Sequence, residues 1–141
     1  MPFSPNDSRN PRLIELVQAA LAVRGRAHAP YSNFQVGAAV LDEEGRVHIG
    51  VNVENAAYPN GICAEAAAIA AMVGSGGRQI VAIAVAGSGD NLCAPCGGCR
   101  QRIREFATSE TVVAIAGEEG LRRVIPLVEL LPESFGPENL P

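Results

Sequence analysis

The chain has 141 residues, of which 48% are hydrophobic and 18% charged, with a formal net charge of −4 and a sequence pI near 5.1. This length supports one hydrophobic core rather than two, so residues 1–141 are expected to form a single domain. An acidic chain with two tyrosines, four phenylalanines and no tryptophan lacks the basic, aromatic-studded track of a polynucleotide binder, which leaves a small ligand as the expected partner.

The opening residues, MPFSPNDSRNPR, hold no basic segment followed by an apolar one, and no apolar run reaches membrane-spanning length. We therefore expect a cytoplasmic chain, flexible over about residues 1–10, whose four cysteines serve metal binding or catalysis before disulfides. Asn10 and Pro11 predict a cap and first helical residue, followed by Leu13, Leu16, Val17, Ala20 and Leu21 at helical spacing. NFQVGAAVLD and RVHIGVNVE flank Glu43, Glu44 and Gly45 and predict a hairpin.

YPNG turns the chain, and Cys63 to Val73 reads as an alanine-rich helix, apolar apart from Glu65 and therefore buried on most sides. GSGG ends it. QIVAIAVAG is predicted to be a strand, CGGCRQRIREF a helix with its charges on one side, and TVVAIAG a second strand covered on both faces. Such strands followed by helices imply a mixed sheet between helical layers. The proline-broken tail, VIPLVELLPESFGPENLP, is expected to pack as short pieces.

Cys63, Cys93, Cys96 and Cys99 are the cysteines, and CAPCGGC contains two overlapping CxxC pairs, so spacing alone allows several partnerships. Cys96 and Cys99, three apart at a helix start, form a bite for one ion, and Cys63 supplies a third sulfur. Three thiolates with an open position make a catalytic zinc site, whereas four make a closed structural one. Pro95 disfavours helix at Ala94 and so places Cys93 in a loop from which it could reach the metal. A closed site leaves Glu65 without work, while a catalytic one uses it for proton transfer. With Cys63 at the very start of its helix, Glu65 in the first turn can share the same target.

Cys-x-Glu followed by Pro-Cys-x-x-Cys is the zinc deaminase signature. Through CAE at 63–65, PCGGC at 95–99, PYSNFQVGAAV, GVNVENAAYPNGICAEAAAI and LLPESFGPENL, the chain resembles the cytidine deaminase family, in its small homotetrameric form with three cysteine ligands. The resemblance implies a three-layer αβα sandwich with a mixed sheet of about five strands, and Zn2+ held by Cys63, Cys96 and Cys99. It implies that Glu65 shuttles protons, and that Phe34, Asn52, Glu54 and Ala64 meet a free nucleoside, with Asn52 and Glu54 on the ribose hydroxyls. It also implies that Phe135 enters a neighbouring subunit's site, that Tyr58 lies at a subunit contact, and that residues 124–141 join the tetramer contacts.

From the residues alone, Asn52 and Glu54 alternate with valines and so share a face of a strand, where together they suit a sugar diol. His28 and His48 lie outside every motif and are not expected to be ligands. Many family members carry arginine directly after Cys-Ala-Glu or between the paired cysteines, where it offsets thiolate charge. Here those positions are Ala66 and Gly98, with Arg100 and Arg102 nearby. Blasticidin S deaminases share the zinc motifs, so a cytosine-containing antibiotic nucleoside is an alternative substrate, and a non-enzymatic four-cysteine zinc module is the alternative of another class.

Overall fold

The computed structural model describes residues 9–141; residues 1–8, most of the start expected to be flexible, lie outside the described residues. Helix α1 (Pro11–Arg24) begins as the sequence predicts, with Asn10 extended, its side chain accepting from the Arg12 N–H at 2.9 Å, and Pro11 in the first helical position. Leu13, Leu16, Val17 and Ala20 form its buried face, which Val23 completes, while Leu21 is only partly covered.

Strands β1 (Gly37–Asp42) and β2 (Val47–Val51) pair antiparallel and are shorter than the predicted hairpin. Helix α2 (Ala64–Gly74) and strand β3 (Ile80–Ala86) follow, then helix α3 (Gly97–Phe106) and strand β4 (Ala107–Gly117). Strand β5 (Gly120–Pro126) is legible in the structure and not in the sequence: of GLRRVIP only Val124 and Ile125 are buried, because the strand lies at an edge and pairs with β4 alone. The tail otherwise packs as expected, into the single turn of α4 (Leu127–Leu130) and a 3-10 turn at Pro137–Asn139.

The five strands lie in the order β2-β1-β3-β4-β5, with β3 and β4 parallel and every other pair antiparallel. One core cluster joins Ile83, Val85, Val113 and Ile115 to residues of α2, α3 and α4, and another joins Ala82, Ala84, Ala86, Ala114 and Ala116 to α1. The sheet is thus mixed and lies between helical layers, a three-layer αβα sandwich. Alternation sorts the side chains: β3 sends Ile83 and Val85 one way and alanines the other, so α1 packs against small residues and the other helices against large ones. Each fully buried isoleucine or valine contributes about 1.5–3 kcal/mol.

Gly50 sets how closely α2 lies on β2. A Cβ at that position would stand 2.3 Å from the Ala68 backbone nitrogen and 2.6 Å from the Ala64 carbonyl oxygen. Only glycine permits that approach.

The expected burial of α2 on most sides is not met within one chain. Ala64, Glu65, Ala68, Ile69 and Met72 are buried, whereas Ala70, Ala71 and Gly74 are exposed. Alanine carries so little surface that a count of apolar residues overstates the cover a helix needs.

Past the other end of α2, Asp42 is 1% exposed and fully bonded. It accepts from the Glu44 and Arg46 backbone N–H groups and from Arg46 Nε, all at 2.9 Å, and from His48 Nε2 at 2.8 Å. Arg46 Nη1 also donates to the Ser75 carbonyl at 2.9 Å, which ties the hairpin turn to the cap of α2. His48 is therefore a buried structural partner, in keeping with its place outside the motifs.

Candidate active site

Two helices start at cysteines. Cys63 is the N-cap of α2 and Cys96 the N-cap of α3, both extended, and neither side chain caps its own helix. Cys99 lies in the first turn of α3 and is wholly buried. The sulfurs of Cys63, Cys96 and Cys99 lie within 4.8 Å of one another. A tetrahedral zinc with bonds near 2.3 Å places its sulfurs about 3.8 Å apart, so the three thiols fit one ion with little movement.

Arg100 fixes the approach to α3, donating from Nε to the Pro95 carbonyl at 2.7 Å and from Nη1 to the Leu130 carbonyl at 2.9 Å. Burial pushes the thiols of Cys63 and Cys99 up, while the Cys99 backbone N–H holds Cys96 below its ordinary value. Burial disfavours the thiolates of Cys63 and Cys99, and a divalent cation at their centre reverses that preference outright.

Glu65, in the first turn of α2, is 5% exposed. Burial raises its carboxyl, against a hydrogen bond from its own backbone N–H and the field of Arg102. It lines a cavity of about 390 Å³ whose walls also include Cys63, Ala64, Cys96, Phe34, Asn52 and Glu54. Cys93 is in the predicted loop and lines the same cavity, but it stands outside the three-thiol cluster.

Asn52 and Glu54 come to the cavity by a different route from the one expected. Strand β2 ends at Val51, and beyond it the chain keeps only isolated pairings of Val53 with His28 and Ile62. The Asn52 N–H still donates to the Val36 carbonyl at 3.3 Å, but the Val36 N–H turns to Asn52 Oδ1 at 2.8 Å and Nδ2 donates to the Phe34 carbonyl at 2.9 Å, so the side chain takes over where the hairpin ladder ends. Glu54 accepts from the Tyr31 and Ser32 N–H groups at 3.0 and 3.1 Å and from the Ser32 hydroxyl, which lowers its carboxyl below the usual range. Together they hold segment 31–36, and Phe34 with it, over the cavity. Tyr31 and Tyr58 meet edge to face, with ring centroids 5.8 Å apart, beside this loop.

Phe135 is the expected site residue that the single chain does not bring to the cavity. It is 56% exposed, and its carbonyl accepts from Gln101 Nε2 at 3.0 Å on the outside of α3. The tail that would reach another subunit is thereby anchored to its own.

Thiol donors at the starts of two helices, a buried carboxylate beside them and a cavity above define a metal-dependent α/β enzyme site. Residues 11–115 match the family model of the cytidine and deoxycytidylate deaminase zinc-binding region. The cytidine deaminase of Halalkalibacterium halodurans is 40% identical over 125 residues, covering 89% of this chain and 95% of that one. That of Mycobacterium tuberculosis is 40% identical over 115 residues, 82% of this chain and 83% of the other. The crystal structure of cytidine deaminase from Burkholderia pseudomallei superposes with a TM-score of 0.80 at 41% identity, covering 86% of this chain and 97% of that one. The chain belongs to the cytidine deaminase family.

Proposed function

We propose that the chain is a zinc-dependent cytidine deaminase that converts cytidine and 2'-deoxycytidine to uridine and 2'-deoxyuridine with release of ammonia, in the recovery of free pyrimidine nucleosides. The observation that carries this is Glu65, a carboxylate 5% exposed at the wall of a nucleoside-sized cavity, beside three thiols spaced for one metal ion. The relatives named cytidine deaminase support the same reaction.

Cys63, Cys96 and Cys99 would hold the zinc, which when bound supplies the Lewis acidity that makes water a nucleophile at neutral pH. Glu65 takes a proton from the water that attacks C4 of the cytosine and hands it to N3. It then passes the second proton to the exocyclic nitrogen, the C4–N bond breaks, and ammonia leaves with the uracil carbonyl in place. Burial suits Glu65 to this task, because desolvation raises its carboxyl and so favours its holding the proton between taking it from water and handing it on. Phe34 packs against the nucleoside. Asn52 and Glu54 turn their remaining hydrogen-bonding capacity to the ribose while holding segment 31–36, and Ala64 lies against the base.

The assembly we propose is a homotetramer in which Phe135 of one subunit covers the base in the site of another, with residues 124–141 in the contacts. The exposed Phe135 and the exposed alanine face of α2 support it. Among the described residues no helix is long and apolar enough to cross a membrane, and the free thiols suit the reducing cytoplasm.

The deciding experiment follows the ultraviolet absorbance of cytidine with zinc-loaded protein and measures ammonia in parallel. A steady fall matched by ammonia is expected. Turnover of blasticidin S with none of cytidine would overturn the substrate, and a zinc-loaded protein that turns over neither would overturn the reaction.

A further inference from the structure

Three thiolates around one divalent ion leave a net charge of about −1. Positions 66 and 98, where many family members place an offsetting arginine, hold Ala66 and Gly98. Three arginines follow the last cysteine within α3. Arg100 is committed to the carbonyls of Pro95 and Leu130, and Arg104 to the Ser134 hydroxyl and the Glu138 carboxylate. Arg102 alone turns to the cluster, with Nη1 donating to Cys99 Sγ at 3.6 Å.

Helix geometry explains the reach. The Cα–Cβ bonds of a helix lean towards its N-terminus, so a long side chain three residues after Cys99 and four after Gly98 lies back over the first turn. Gly98 leaves the room for it: a Cβ there would stand 3.2 Å from Arg102 Nη1, closer than such contacts normally are. Neither choice favours the helix itself, since glycine weakens a helical turn and a cation over the N-terminal turn opposes the helix dipole. Both choices fit a negative cluster at that spot.

We propose that Arg102 is a positioning residue of the metal centre, its guanidinium offsetting thiolate charge through Cys99 Sγ in the space that Gly98 leaves open. The arginine missing from positions 66 and 98 is thus supplied from one turn further along α3. A donor on the sulfur stabilises the thiolate against loss of the ion and weakens its donation to the metal, preserving Lewis acidity. The inference rests on the three-thiol zinc reading.

The test uses zinc-loaded wild-type protein and the variants Arg102→Ala, Arg102→Gln and Arg102→Lys, and measures the rate at which zinc passes to a chromogenic chelator. Wild type that carries no zinc would defeat the three-thiol reading itself. With one zinc per wild-type chain, Arg102→Ala is expected to release it about tenfold faster, at the low end for such neighbours because the guanidinium is exposed. Arg102→Gln should match Arg102→Ala, having lost the charge, and Arg102→Lys should recover part of the retention. For cytidine, kcat should fall several-fold in Arg102→Ala with KM within about twofold. Release by Arg102→Ala within twofold of wild type would overturn the proposal. So would Arg102→Gln retaining zinc like wild type while Arg102→Ala does not, since shape rather than charge would then explain the loss.

Discussion

Glu65, in the first turn of α2, and Asp42, bonded through Arg46 to the cap that ends the same helix, are both carboxylates inside the fold, at 5% and 1% exposure. About 16 Å of helix separates the two ends. Asp42 receives two backbone N–H groups, a guanidinium and an imidazole, and these donors hold its carboxyl down at about 2 despite burial. Glu65 is bonded by its own backbone N–H, and burial pushes its carboxyl up. Two buried carboxyls shifted in opposite directions separate a group held charged from one suited to the proton exchange we propose. A buried acid surrounded by donors fastens the structure, whereas one left short of donors beside a cavity and a metal cluster is available to chemistry.

The sharpest way to break this contrast is to neutralise each acid in turn. Glu65→Gln keeps shape and removes the exchangeable proton, so kcat should fall by about a thousandfold or more, with zinc content and melting temperature retained. Turnover within tenfold of wild type would defeat the assignment. Asp42→Ala should do the reverse, costing about 3 kcal/mol in denaturant unfolding while the folded variant keeps zinc and turnover.

The Asp42 contribution also has a sign in pH. Its folded value of about 2 lies below the usual 3.8, so the stabilisation is complete above pH 3.8 and drains away as pH falls through 2. Acid unfolding of wild type should therefore show a loss across that window, on the order of 2 kcal/mol, that Asp42→Asn lacks.

Smaller effects sharpen the boundary of the site. Phe135→Ala should raise KM for cytidine about tenfold. Mixing it with inactive Glu65→Gln under exchange conditions should restore sites in which an intact Phe135 meets an intact Glu65. An unchanged KM would place Phe135 outside the site. Cys93→Ser should change zinc content and kcat by less than twofold, because Cys93 lines the cavity without joining the cluster. Loss of zinc from that variant would argue for a fourth thiolate.

Legibility in the sequence followed the strength of the local signal. Helix α1, the hairpin and the apolar strands β3 and β4 stand out because periodicity and caps point the same way. The cysteines and Glu65 stand out because their order is specific chemistry. Strand β5 was hidden because an edge strand pairs on one side only, and Arg122 and Arg123 mask its two buried residues. The hold of Asn52 and Glu54 on segment 31–36 is hidden because all their partners there but the Ser32 hydroxyl are backbone atoms, which no side-chain pattern encodes. The inward turn of Arg102, in the room beside Gly98, is a detail visible only once the helix is built.

Gly50 has a consequence for how freely this chain can vary. Any side chain at position 50 would lever α2 off β2 by its backbone, and Cys63 and Glu65 ride on the leading end of that helix. Mutational tolerance at a residue outside the cavity wall is then expected to be as low as at Glu65, the carboxylate we propose as catalytic. A library of single variants sorted by activity would find position 50 barren, and its neighbours Val47 and Ile49, which face outward on the same strand, permissive.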